Sequence, residues 1–576
     1  MKTTLKIIAA LAIGGFAASC AEQDVRPYVV EKPETVVETE YLNSFGNIKD
    51  YLDRAAYPNF RVGAALEATD YLNRGVVFRV GNANFDELTT GNAMKYGSCV
   101  GDDGTMNFGT VTDFLAAAKE GKVSVYGHTL AWHAQQNVNW LNTLIADIQV
   151  PIGPEDLIVD KAYNFADYTE FPFPVIEGCV PEIKDGILTC TNKRKQQYYL
   201  AENVETELGE TYEITIMAKA NKELNLNMKF GDATFTIPVS TEWAECQAYV
   251  DAYSESSSLL VTPGNVTLTL EVKTVKIGHY PPASRPQTPE EKKDTLAGEM
   301  RRWCKGMMEA CNGQVKSWDL INEAISGAGS VEGKYYELQH DNGSGTDFFW
   351  QDYLGDENYG PIVSKAARDA YQECGGNPDE LKLFVNDYNL ESDWDQNRKV
   401  KSLVYWVGVW EKKGAKIDGL SSQMHVSYYE NKDVMRSKAN AYVNMLKIMV
   451  ESGKLVRISE LDMGYVDIFG EDVATDYMTP EQHLNMAHYY QFIIDMYLKL
   501  VPKDQQYGIC QWCLTDAPSS SGWRANTPVG LWDLNWDRKV TYVAWCEAFK
   551  NPSLGSEDYF KWLEEHGYEH YVPSED

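Results

Sequence analysis

The feature that most constrains this chain is a recurring pattern rather than a single motif. Short apolar runs of strand length alternate with longer helical stretches from about Tyr41 to His133, and again after about Gln287. Val62 to Leu66 and Val123 to Tyr126 flank the helical pattern Val111 to Ala118. Further runs stand at Val315 to Ile321, Leu381 to Val385, Leu420 to His425, Leu455 to Leu461 and Gly508 to Leu514. Thr288 followed by Glu290 and Glu291 marks a helix start, with Leu296 to Ala310 as its body. Strand then helix, repeated over this length, calls for a parallel α/β fold and is compatible with an eight-stranded (β/α)8 TIM barrel.

The stretch from about Gln149 to Pro282 follows another rule. Tyr212 to Lys219, Leu224 to Phe230, Thr234 to Val239, Ala248 to Tyr253 and Val266 to Val275 are short alternating runs bounded by Gly, Asn, Pro and Ser. They predict an all-β sandwich inserted into a barrel loop, which a domain with neighbouring ends permits. Two domains also suit 576 residues, because single cores stop growing near ~250 to 300 residues. The predicted organisation is a signal peptide over 1–19, a tether over 20–40, barrel over 41–148, the insert over 149–283, barrel again over 284–552, and an acidic tail over 553–576.

Hydrophobic residues at 44% and charged residues at 24% are globular values and argue against disorder or a multispan membrane protein. A net charge of -32 repels phosphate backbones, so nucleic acid is excluded as a partner. The 15 Trp and 35 Tyr offer many ring faces, which suit either a large core or sugar surfaces. Lys2 and Lys6 precede an apolar run, Ile7 to Phe16, and small residues lead into Cys20. That pattern reads as a signal peptide ending on a lipoprotein-type Cys, too short to span a bilayer. Lipidated Cys20 would be the sole membrane attachment of an extracytoplasmic, cell-surface, monomeric protein. The ten other Cys have no repeated metal-ligand spacing, so neither metal nor cofactor is expected; Cys179 with Cys190 is one candidate disulfide.

Two glutamates each end an apolar strand: Trp318-Asp-Leu-Ile-Asn-Glu323 and Arg457-Ile-Ser-Glu460-Leu-Asp462. Carboxylates at the carboxyl ends of barrel strands point into the mouth where barrel enzymes work. Buried there, they are expensive unless paired or used. One alone reads as an ion-paired structural acid; two together invite acid/base chemistry.

With Gly127-His-Thr-Leu-Ala-Trp132-His-Ala-Gln135, Asn386-Asp-Tyr388-Asn and Gln423-Met-His425, these blocks follow one order along the chain. That order resembles glycoside hydrolase family 10, the β-1,4-xylanases, over most of the chain outside the signal, insert and tail. The resemblance implies a retaining endo-hydrolase of xylan or xylo-oligosaccharides, with Glu323 as acid/base and Glu460 as nucleophile. Retention asks for carboxyl groups ~5 to 5.5 Å apart, inversion for ~6.5 to 9.5 Å. It further implies that His425 hydrogen-bonds Glu460, that Asp462 orients His425, and that Asn322 donates to the sugar 2-hydroxyl. Asn92, Lys95, His128, Trp132, Gln135, Tyr388, Gln423, Trp512 and Trp523 would contact substrate. Gly91 stands where the family usually carries Glu, which removes one hydrogen bond at the distal glycone subsite, and Cys513 stands where it carries Gly. Without the resemblance, Lys95 reads as a solvated charge and the two Trp as core.

The insert resembles jelly-roll carbohydrate-binding modules at Gly-Glu-Thr-Tyr212 and Thr241-Glu-Trp243, which makes Tyr198, Tyr199 and Trp243 candidate platforms. Two other readings remain: a β-1,4-glucanase on the same barrel, and a cell-surface glycan-binding lipoprotein without catalysis. The intact acid pair weighs against the second.

Overall fold

Strands covered on both faces read as nearly continuous apolar runs, and burial along this chain follows that rule. All but one residue of Val315–Asn322 are buried, as are all but the first of Leu455–Val466. The computed structural model describes residues 32–176, 178–192, 195–550, 552 and 558–566. The expected signal peptide and Cys20 lie outside them.

Among the described residues the barrel strands are β1 (Arg61–Leu66), β2 (Glu87–Thr90), β3 (Ser124–Gly127), β4 (Val315–Asn322), β5 (Lys382–Asp387), β6 (Gly419–Ser422), β7 (Leu455–Val466) and β8 (Gln506–Gln511). Each pairs in parallel with its chain neighbours. Pairing of β1 with β8 closes the sheet into a barrel. A further strand, His425–Tyr429, prolongs β6 and pairs with the later half of β7. Helices cover the outside, including Pro289–Cys311, which begins at the expected signal with Pro in its first turn. Inside, Tyr126, Phe384 and Tyr507 pack together, and the buried Arg457 guanidinium lies 3.6 Å from the Tyr126 ring centroid. The barrel is thus a filled core rather than a pore.

The contacts divide the chain into two units, residues 146–288 and the remainder. The smaller unit is a sandwich of antiparallel strands with one sheet of Ala233–Val239, Leu224–Phe230, Ser256–Val261 and Tyr198–Glu205. The other is built around Thr211–Ala220 and Leu268–His279. Its edge strand Ala244–Asp251 alternates buried and open positions, as one-sided strands do. Between the sheets, Cys179 and Cys190 bring their sulfurs within 2.6 Å.

One platform candidate is corrected here. Tyr198 is buried in the sandwich core and offers no open ring, while the half-buried Trp243 carries Lys219 and Lys273 at 5.2 and 4.2 Å from its ring centroid. Tyr249 and Tyr253 are instead exposed. Helix Glu34–Asn43 spans the boundary expected at residue 40 between tether and barrel. In the acidic C-terminal stretch, helix Tyr559–His566 buries Tyr559 and Trp562 against Phe492.

Candidate active site

At the carboxyl ends of the barrel strands lies a cavity of about 670 Å³, a size ordinary for ligand sites. Glu323, Glu460, Asn322, Gln423, His425, His128, Trp132, Gln135, Asn92, Lys95, Trp512 and Trp523 all line it. These residues come from seven separate stretches of chain, so only barrel closure brings them together. Tyr388 stands outside the lining, with Lys399 Nζ 3.3 Å from its ring centroid.

Glu323 follows β4 with a left-handed φ of 54°, a conformation that L-residues avoid. Its backbone N–H donates to Asn386 O at 2.8 Å, which ties the turn to β5. Gln423 Nε2 and Trp132 Nε1 donate to its carboxyl oxygens at 2.8 and 3.1 Å. Asn322 Nδ2 stands 3.3 Å from Oε1. Burial pushes the Glu323 carboxyl above the ordinary range, and the charges of Asp387 and Glu460 add to this, outweighing the donated bonds.

Glu460, expected to end its strand, instead lies inside β7, which runs on to Val466, and it has the opposite bias. Burial raises its pKa too, but His425, the field of His128 and the Asn386 amide together hold it below the ordinary value. Asn386 Nδ2 donates to Glu460 Oε1 at 2.8 Å and to Asn322 Oδ1 at 2.9 Å, while Ser459 Oγ donates to Asn386 Oδ1. One amide therefore links the nucleophile candidate to Asn322, whose own amide nitrogen stands 3.3 Å from the acid candidate.

His425 Nε2 lies 3.2 Å from Glu460 Oε2, and Nδ1 forms an ion-pair contact of 3.1 Å with Asp462 Oδ2. Although burial lowers the His425 pKa, Asp462 and Glu460 together raise it to about 10, so the ring is a cation at neutral pH. Asp462 is buried and held ionised against the pull of burial by His425, Arg524 and Trp523. Trp523 Nε1 donates to Asp462 Oδ2 at 2.7 Å, and its ring lies 4.5 Å from that of His425. Met424, with φ of 59°, interrupts the sixth strand between Gln423 and His425, and both side chains line the cavity.

Lys95 departs from its solvated reading. Its side chain is buried, its Nζ lies 4.8 Å from the Trp132 ring centroid and donates to Asn92 Oδ1 at 3.2 Å. Burial lowers its pKa, against the opposing charges of Glu460, Glu323 and Glu67. Gln135, itself at φ 50°, donates to the same Asn92 oxygen at 3.3 Å. His128 Nδ1 is held 2.8 Å from Asp319 Oδ2, whose other oxygen accepts from Tyr126. Trp512 meets His128 and His425 edge to face.

Sequence reading did not assign Asn386, Asp387, Asp319 or Arg524. The first three lie inside the quoted motifs, so the signal was present. Arg524 had none: its Nη1 donates to Asp462 Oδ1 at 2.7 Å and to Val426 O at 2.8 Å, partners 62 and 98 residues away along the chain.

A parallel barrel whose mouth holds one carboxyl biased towards protonation and a second biased towards ionisation has the build of a glycoside hydrolase. The Glycosyl hydrolase family 10 model matches residues 51–151 and 282–548. The chain belongs to that family. It is similar to Endo-1,4-beta-xylanase C of Paenibacillus barcinonensis, 27% identical over 47% of this chain and 23% of that protein. It is also similar to Endo-1,4-beta-xylanase 3 of Hypocrea jecorina, 25% identical over 43% of this chain and 56% of that protein. The chain thus spans from under a quarter to just over half of the length of these relatives. In fold it is similar to crystalline xylanase B from Clostridium stercorarium F9, with a TM-score of 0.51 and 17% identity over 87% of this chain and 100% of that one.

Proposed function

We propose that this protein cleaves internal β-1,4-xylosidic bonds of xylan with retention of configuration. The observation that carries the reading is the opposite protonation bias of Glu323 and Glu460 within a family 10 barrel. The names of the similar proteins, endo-1,4-β-xylanases, supply the substrate class.

In the first step the Glu460 carboxylate attacks the anomeric carbon, the glycosidic C–O bond breaks, and Glu323 gives its proton to the departing oxygen. His425, cationic and 3.2 Å from Glu460, keeps the nucleophile ionised. In the second step Glu323, now a carboxylate, takes a proton from water as that water displaces Glu460 from the anomeric carbon. Two inversions give net retention.

The test is hydrolysis of linear xylan beside carboxymethyl cellulose, with the first product anomer followed by NMR. Short xylo-oligosaccharides with the β-anomer first are expected. Cellulose cleavage alone moves the substrate, and an α-anomer first removes the double displacement.

Two further readings belong to this proposal. The sandwich binds glycan, supported by exposed Tyr249 and Tyr253, 60% and 59% accessible; Tyr249→Ala should weaken retention of the whole protein on insoluble xylan. Cys20 carries lipid and holds a monomer at the cell surface; Cys20→Ser should release it from the membrane fraction.

A further inference from the structure

The cavity contains an acid that the mechanism leaves unused. Glu67, directly after β1, is exposed and lines the same cavity as Asn92, Lys95 and Gln135. Its Oε1 accepts from Asn92 Nδ2 at 3.0 Å, and its charge acts on the buried Lys95. Beside it, β2 leads into Gly91, which presents no side chain. A methyl group built on Gly91 would stand 2.8 Å from Glu67 Oε1. The carboxylate therefore occupies the space that a side chain at position 91 would enter. Gly91 is not among the residues of positive φ, so its backbone does not itself demand glycine.

We infer that Glu67 supplies from β1 the carboxylate missing at position 91, and that it binds a hydroxyl of the sugar unit beyond the one attacked by Glu460. The inference rests on the xylan reading. Its chemistry is that of the group: an ionised carboxyl is acceptor-only and suits a sugar hydroxyl donor. Asn92 Oδ1 takes bonds from Lys95 and Gln135, and its amide nitrogen is given to Glu67. These four side chains thus form one connected wall with a single exposed carboxylate. Glu67 orients Asn92 and remains open to substrate.

The experiment compares kcat/KM for the 4-nitrophenyl glycosides of xylobiose and xylose, the second sugar unit being their only difference. The advantage of the xylobioside should fall on the order of 10- to 100-fold in Glu67→Ala, as for a hydrogen bond to a charged group. Returning the carboxylate by Gly91→Glu in the Glu67→Ala background should restore part of it. Gly91→Glu alone should lose activity by crowding two carboxylates. An unchanged xylobioside advantage in Glu67→Ala overturns the assignment, and so does a double variant no better than Glu67→Ala. A wild-type protein inactive on both glycosides and on xylan overturns the xylan reading, and this inference with it.

Discussion

Asp462 faces Nδ1 of His425 at 3.1 Å through one carboxyl oxygen, and Arg524 grips its other oxygen at 2.7 Å. The carboxylate is thereby anchored from behind while it raises the basicity of the ring that serves Glu460. In Asp462→Asn the pKa of His425 should fall from about 10, since the first of the groups raising it is removed. Glu460 then loses a cationic donor. The acidic limb of the kcat/KM profile should move to higher pH and kcat should drop; an unmoved limb would separate Asp462 from this role.

Replacing Glu460 by Gln should nearly abolish turnover, because no nucleophile remains. Glu323→Ala should slow xylan hydrolysis on the order of 10²- to 10⁴-fold, as expected for a general acid. The loss should be much smaller on aryl glycosides whose leaving group needs no proton. Equal losses on both substrate classes would argue against Glu323 as the acid.

The rate should follow a bell with pH. It rises as pH climbs through the pKa of Glu460, which must be ionised and lies below the ordinary value. It falls as pH climbs through the raised pKa of Glu323, which must be protonated. The plateau is therefore wider than the near-identical pKa values of two unperturbed glutamates would allow. A kcat/KM profile across acidic and neutral pH checks this, and a profile that keeps rising to alkaline pH would contradict it.

Behind the acid, Lys399 Nζ and Asp387 Oδ1 form a buried pair at 2.9 Å, and Asp387 also accepts from the Ile325 backbone N–H at 2.9 Å. Lys399→Met leaves that carboxyl without its cation. Such a break costs about 3 to 5 kcal/mol in comparable buried pairs. The urea midpoint should fall accordingly, and adding Asp387→Asn should recover part of the loss. A midpoint unchanged in the single variant would mean that other donors satisfy Asp387.

Parallel strands announce themselves locally, because burial on both faces demands runs such as those of β4 and β7. Glu323 and Glu460 were legible as acids closing apolar runs, and the ordered motifs pointed to the chemistry proposed for them. The short β2, Glu87–Thr90, was not legible, since its four residues mix a buried charge with threonines. The sequence by itself determined the alternation of elements, the insertion of a sandwich and the identity of the paired acids, all carried by neighbouring residues. Tertiary structure alone decided that Lys95 is buried over Trp132, that Arg524 anchors Asp462, and that Glu67 fills the space beside Gly91. Those contacts join side chains that barrel closure, rather than sequence proximity, brings together. The direction of each pKa shift depends on the same closure, because burial and neighbouring charge are properties of the assembled mouth.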